Sequence, residues 1–170
     1  MQRTSPGTTE SRPLYTAAER ARRDATRWTL VQGILAPVQF AAFAVSLVLV
    51  LCFLTTGEGQ TAATASIVIK TLLLYAIMVT GCIWEKVVFG RYLFAPSFFW
   101  EDVFSMLVLA LHTAYLAALF TGALGARGQM LLALAAYAAY VINAGQFVWK
   151  LRMARLDMAR ADAQLAGAAR

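Results

Sequence analysis

Residues 81–106, GCIWEKVVFGRYLFAPSFFWEDVFSM, join two hydrophobic spans and so stand where a polar connecting loop belongs. Their composition differs from such a loop. Between Trp84 and Trp100, seven of seventeen residues are aromatic: Trp84, Phe89, Tyr92, Phe94, Phe98, Phe99 and Trp100. The same window holds Glu85, Lys86 and Arg91, and Glu101 and Asp102 follow it. Rings beside carboxylates suit a membrane–water boundary, where a ring can be dry and a carboxylate wet. Such a stretch is either an anchor or a site, and the flanking chain bears on which.

The chain has 170 residues, 60% of them hydrophobic and 14% charged. Soluble domains average roughly 45–50% apolar and about 25% charged, so both values lean toward the membrane. Four apolar runs, 30–54, 62–84, 103–124 and 130–149, each reach the roughly 20 residues that cross about 30 Å of hydrocarbon as a helix. The connections TTGEGQT (55–61) and 125–128 are short, which sets neighbouring helices antiparallel. Pro37 leaves the Gly33 carbonyl free and predicts a kink in the first span. Ala110, Ala114 and Ala118, with the alanine-rich fourth span, offer close helix approach. Ahead of the spans, Thr16 and Glu19 form a capping box that opens a basic amphipathic helix at the headgroups. The expected fold is therefore an all-α integral membrane protein, a four-helix antiparallel bundle with an N-terminal interfacial helix. Residues 16–156 form its single domain, residues 85–101 an aromatic loop, and residues 1–15 and 157–170 a disordered and a flexible tail.

The net charge of +6 does not indicate nucleic acid, because the basic residues gather at the two ends of the chain. Six Lys or Arg precede the first span, two lie in the central loop and five follow the fourth span, against Arg127 alone in the other two loops. The positive-inside rule then places both termini and residues 81–106 on the cytoplasmic side of the membrane. No secretory signal is expected, since the first apolar run starts near Leu30 without a small-residue cleavage site. Cys52 and Cys82 fall at opposite membrane faces, too far apart for a disulfide.

Polar groups inside spans are costly and concentrate at function or at helix contacts. Gln32 and Gln39 lie in the cytoplasmic half of the first span, and Asn143 and Gln146 in that of the fourth. Glu85, Glu101 and Asp102 sit at cytoplasmic helix ends, and His112 about 14 Å into the third span. The outer half holds Lys70, read as snorkelling outward or pairing locally, and a few hydroxyls. Glu101, Ser105, Val108 and His112 follow the 4-3-4 spacing of one helix stripe, with carboxylate and imidazole about 16 Å apart. This pattern describes a polar pocket opening toward the cytoplasm under an aromatic roof. Each part also has a plainer reading: an interfacial belt, helix-association polar groups, and an N-terminal charge pair favoured by the helix dipole.

The central run, with LHTAY (111–115), LYTAAERARRDATRWTLVQGILAPVQF (14–40) and NAGQFVWKLR (143–152), closely resembles the 3-vinyl bacteriochlorophyllide hydratase family. The resemblance spans residues 14–156 and no motif is broken. It implies a lyase of bacteriochlorophyll biosynthesis, and so of photosynthesis, that adds water to the C3-vinyl group of chlorophyllide a or 3-vinyl bacteriochlorophyllide. Such a flat magnesium tetrapyrrole fits an aromatic slot at an interface. Protonating the terminal vinyl carbon needs an acid and activating water needs a base, with no cofactor beyond the magnesium that the substrate carries. Glu101 or Glu85 would be the acid, with the neighbouring carboxylate or Asp102 handling water. His112 would be an axial ligand to the substrate magnesium or a second proton-transfer group. Trp84, Phe89, Tyr92, Phe99, Trp100, Asn143, Gln146 and Gln39 would line the macrocycle, and Arg91 or Lys86 would hold its propionate. The expected partners are the tetrapyrrole, the bilayer and other enzymes of bacteriochlorophyll synthesis.

A non-catalytic pigment-binding or assembly protein would use the same slot without the carboxylates. A proton-coupled exporter fits less well, because no carboxylate lies near the midplane. A haem electron carrier also fits poorly, because one histidine does not supply bis-histidine ligation.

Overall fold

The computed structural model describes residues 14–168, with five helices and no strand among them. The expected disordered tail therefore lies, up to residue 13, outside the described residues. The capping box is formed: the Thr16 N–H donates to Glu19 Oε2 at 2.7 Å and the Glu19 N–H to Thr16 Oγ1 at 3.3 Å. Helix α1 (Ala17–Ala25) starts there and ends at Thr26, whose extended backbone (φ −88°, ψ 137°) also caps α2. α1 lies against the third helix of the chain, where Arg22 Nε donates to the Val88 carbonyl at 2.8 Å.

Four long apolar helices follow: α2 (Arg27–Thr56), α3 (Gln60–Phe89), α4 (Phe99–Thr121) and α5 (Ala126–Ala168). Each is long and apolar enough to cross a membrane, α5 over Ala126–Leu156, and the chain is a multi-pass membrane protein. α2 packs on α3 and α4 on α5 as hairpins, and the hairpins join through α3 with α4 and α2 with α5. The four helices thus form an up-down-up-down ring. Glycines at φ near +80° or +65° end three of them, Gly57 after α2, Gly90 after α3 and Gly122 after α4, a backbone that other residues resist. Pro37 sits inside α2 without ending it.

The outside of the ring is apolar: Phe120 is 81% exposed, Val148 67% and Val79 61%. Such a surface needs lipid to cover it. Because lipid is as apolar as the side chains, close packing and interhelical hydrogen bonds hold the helices together. Ser46 Oγ meets Tyr137 Oη at 2.5 Å and Ser66 Oγ at 2.7 Å, linking three helices at about 0.6 kcal/mol per bond. Around them pack Phe43, Val50, Ile67, Tyr115 and Met130. Ala133, Ala136 and Ala139 are the buried small residues of α5, so Ala136→Leu would overpack the core by about 1–3 kcal/mol. On α4 only Ala118 of the expected alanine stripe is buried; Ala110 and Ala114 face outward. The buried stripe of α4 is instead Glu101, Ser105, Val108, His112, Tyr115 and Ala118. Ala110 and Ala114 fall outside that face of a 3.6-residue helix.

The helix ends differ from the hydropathy limits. α3 continues past Trp84 to Phe89, because nothing before Gly90 breaks it, so Glu85 and Lys86 stand on a helix. The irregular connection shrinks to residues 90–98. α5 stays helical through Ala168, beyond the apolar span.

Candidate active site

Three buried polar groups emerge where the sequence pattern suggested one pocket. The first joins α3 to α4. Glu85 (6% exposed) and Asp102 (4% exposed) are buried as neighbouring carboxyl groups. Two carboxyl groups held this close avoid like-charge repulsion when one of them keeps its hydrogen. The connection 90–98 folds over the pair: the Phe94 N–H donates to Asp102 Oδ2 at 2.7 Å and the Ala95 N–H to Glu85 Oε2 at 3.4 Å. Phe94 holds φ 58°, the left-handed region, at a cost of roughly 1–2 kcal/mol. Strain of this kind persists where surrounding contacts over-determine the backbone, here two N–H groups drawn to carboxyl oxygens.

The second group lies one residue further round α4. Lys150 Nζ stands 2.5 Å from Glu101 Oε2, also donates to the Ser97 carbonyl, and sits 5.0 Å above the Phe98 ring. Glu101 opens onto a cleft of about 510 Å³ between α4 and α5, lined also by Gly145, Gln146, Trp149, Lys150 and Met153. Below it, Asn143 Nδ2 donates to Ser105 Oγ at 2.9 Å.

His112 belongs to a third group, deep in the bundle and fully buried. Its Nδ1 contacts the Val108 carbonyl at 2.8 Å, and a carbonyl only accepts, so Nδ1 carries a hydrogen. Its Nε2 meets Lys70 Nζ at 3.0 Å. Both ring nitrogens are engaged, leaving neither free to ligate a magnesium ion or relay a proton to the carboxylates in this arrangement. Lys70 is fully buried too, its Nζ 4.2 Å from the Tyr140 ring centroid. Of the two expectations for Lys70, it pairs locally and does not snorkel outward.

The aromatic residues also divide. Trp84, Phe89 and Phe98 turn inward and pack with Tyr15 and Phe147, with Tyr15 stacked on Phe89 at 5.7 Å. Trp84 further donates from Nε1 to Thr29 Oγ1 at 2.9 Å. Tyr92, Phe99 and Trp100 face outward, Trp100 at 66% exposure. Leu14 and Tyr15, assigned by composition to the tail, are packed against the site: Ser97 Oγ donates to the Leu14 carbonyl at 3.0 Å. Burial pushes the Tyr15 phenol up, and the charge of Arg23, 4.8 Å from the ring, pulls it down. Lys86 is exposed and donates to the Gly90 carbonyl at 2.9 Å, closing α3; Arg91 is exposed as well. Gln39 is 2% exposed, and its amide atoms find no partner among the described residues.

Lys150 was not legible as a site residue. A Trp-Lys pair at the end of an apolar span matches an interfacial anchor, and only the packing of α5 on α4 turns the amine toward Glu101.

The profile of the 2-vinyl bacteriochlorophyllide hydratase family matches residues 15–153. A protein of Cereibacter sphaeroides bearing the name 2-vinyl bacteriochlorophyllide hydratase is 74% identical over 162 residues, 95% of this chain and 100% of that protein. One of the same name from Rhodobacter capsulatus is 72% identical over 159 residues, 94% and 92% of the respective chains. The chain belongs to the 2-vinyl bacteriochlorophyllide hydratase family. No solved structure matches it significantly. The stretch shared with the hydratase profile opens at Tyr15, the buried ring beside the 90–98 connection, and closes at Met153, on the wall of the cleft. In this hydratase-family fold, the carboxyl pair, the ion pair and the cleft all lie within the matched residues.

Proposed function

We propose that this chain is a hydro-lyase of bacteriochlorophyll biosynthesis, adding water to the vinyl group of a chlorophyllide to give a 1-hydroxyethyl substituent. Membership of the hydratase family along almost the whole chain carries this reading. The family name numbers the vinyl-bearing position 2 where the sequence resemblance numbers it 3; the reaction is water addition in either case.

The carboxyl pair Glu85–Asp102 is the acid. Its retained hydrogen passes to the terminal vinyl carbon, and the π electrons form that C–H bond. The resulting cation is spread over the conjugated macrocycle. Water then attacks the inner carbon and gives up a proton to Glu101, whose pairing with Lys150 holds it on the cleft. Proton return from Glu101 to the Glu85–Asp102 pair completes the cycle, with one H₂O added and nothing oxidised or reduced. Tyr92, Phe99, Trp100 and Trp149 offer the exposed rings that a flat macrocycle stacks on, and Arg91 and Lys86 are the exposed cations for its propionate. The magnesium travels with the substrate. The clustering of Lys and Arg at both ends and in the central connection supports a cytoplasmic location for both termini and for the site.

The test is hydration of chlorophyllide a by purified wild-type, Glu85→Gln, Asp102→Asn and Glu101→Gln proteins of equal pigment affinity. Loss of turnover in the carboxyl variants is expected. Near-normal turnover in all three would refute the acid–base assignment. Pigment binding by the wild type without any hydroxyethyl product would favour an assembly role.

A further inference from the structure

Five buried side-chain atoms have no hydrogen-bond partner among the described residues: Tyr115 Oη, ten residues down α4 from Ser105, and, nearer the acid–base groups, Gln39 Oε1 and Nε2, Asn143 Oδ1 and Gln146 Oε1. A polar atom left bare inside a bundle surrounded by hydrocarbon is costly, so such atoms imply a ligand that can hydrogen-bond. Helix register sets Gln39 and Asn143 in one layer, with Gln146 one turn nearer the cleft. The rings of Phe43 on α2 and Tyr140 on α5 meet at 5.0 Å. Gln39 lies one turn from Phe43 and Asn143 just under one turn from Tyr140. Because α2 and α5 are antiparallel, both steps lead toward the same end, about 6 Å and about 4.5 Å along the axis. Ser105 of α4 is tied into this layer by its hydrogen bond from Asn143. Glu101 stands one turn above Ser105 on the same buried stripe, and shares the cleft with Gln146, one turn above Asn143.

We infer that Gln39, Ser105, Asn143 and Gln146 form a water-binding site that stores the water molecule consumed in hydration and presents it to Glu101. This inference rests on the hydratase reading. The chemistry of the layer fits water: three carbonyl-type acceptors and one amide donor, all uncharged, with a hydroxyl beside them. A buried water typically makes about three such bonds. With one hydrogen donated to an amide oxygen of the layer, the other turned to Glu101 and one lone pair accepting from Gln39, the water keeps its second lone pair for the cationic carbon. As that C–O bond forms, one O–H bond breaks and its proton goes to Glu101. The ring contact of Phe43 with Tyr140 closes the layer from below, and the Glu101 cleft is its outlet.

The experiment combines two readouts on the full-length protein in lipid nanodiscs. Hydroxyl-radical footprinting in ¹⁸O-water labels side chains beside bound water, even when they are buried. Labelled Phe43 and Tyr140 are expected in the wild type, with the label lost in Gln39→Leu/Asn143→Leu. In the second readout, chlorophyllide a hydration by that variant is expected to fall at least about tenfold in kcat, with KM and pigment affinity unchanged. A wild type unlabelled at both rings means a dry layer and overturns the inference without any variant. Label lost with kcat intact would make the water structural, and overturns delivery to Glu101. If the double variant no longer binds pigment, Gln39→Asn, which keeps the amide but withdraws it by one methylene, replaces it with the same expected split. A wild type that binds pigment and never hydrates it refutes the hydratase reading itself, which the footprint alone does not touch.

Discussion

Two clusters of buried titratable side chains occupy this bundle, one at the end where α3 and α4 are joined, one in its middle. They differ in how completely the protein satisfies them. At the joined end, Glu85, Asp102 and Lys150 bond to a short irregular segment, which includes a residue at φ 58°, while Glu101 and Lys150 line an open cleft. In the middle, Lys70 and His112 have no exposure, bond to each other and to a helix carbonyl, and lie against the rings of Tyr137 and Tyr140. Residue types alone would make both clusters acid–base machinery. On the proposed mechanism, chemistry belongs to the first cluster, which reaches the cleft through Glu101, and helix association to the second, which is closed.

The sharpest way to break this contrast is at the carboxyl pair. Glu85→Gln or Asp102→Asn should lower turnover of chlorophyllide a by about a hundredfold or more, the usual contribution of a positioned acid. Steady-state kinetics beside a pigment-binding titration checks it, and a loss confined to binding would move the pair out of the chemistry. Lys150→Met should cost roughly tenfold in kcat by releasing Glu101, with Lys150→Arg recovering part of it through a retained charge. Unchanged rates in Lys150→Met would leave the ion pair as a helix clamp only. The middle cluster should respond in the opposite sense. Lys70→Met and His112→Phe should each destabilise the protein by about 1–3 kcal/mol by orphaning the other partner. The double variant should cost less than their sum, and turnover should stay close to wild type. A thermal-unfolding double-mutant cycle reads the coupling, and a selective loss of pigment affinity in His112→Phe would restore the axial-ligand role. The smallest stability effect belongs to Trp100→Ala, under about 0.5 kcal/mol for an exposed ring. Its signature is weaker pigment binding, and unchanged affinity would remove Trp100 from the macrocycle surface.

Much of the fold is legible from hydropathy. Four apolar runs of sufficient length admit little but four helices, because unpaired backbone groups are not tolerated in lipid. Short connections then force the up-down order. The α4 stripe Glu101–Ser105–Val108–His112 is legible for a similar reason: helical period alone keeps those positions on one face, and all four are buried. Two kinds of feature stayed hidden. Glu85 looked like a loop residue because its neighbours are charged and aromatic, whereas helix ends are decided by backbone geometry at Gly90. The seven rings looked alike, but contacts with Tyr15 and Phe147 from distant parts of the chain draw Trp84, Phe89 and Phe98 inward and leave the others outside.

What the sequence by itself determined is thus the set of spans, the spread of charge and the family, each of which depends on local composition or on the order of residues. Residues 81–106 announced a site at the boundary for the same reason. Only the tertiary structure decided which partners those polar groups take. It sets Glu85 against Asp102, Glu101 against Lys150 and His112 against Lys70, three pairs that cross between helices. Interhelical pairing depends on the rotation and register of whole helices, set by the summed packing of their buried faces. No short stretch of sequence contains that sum.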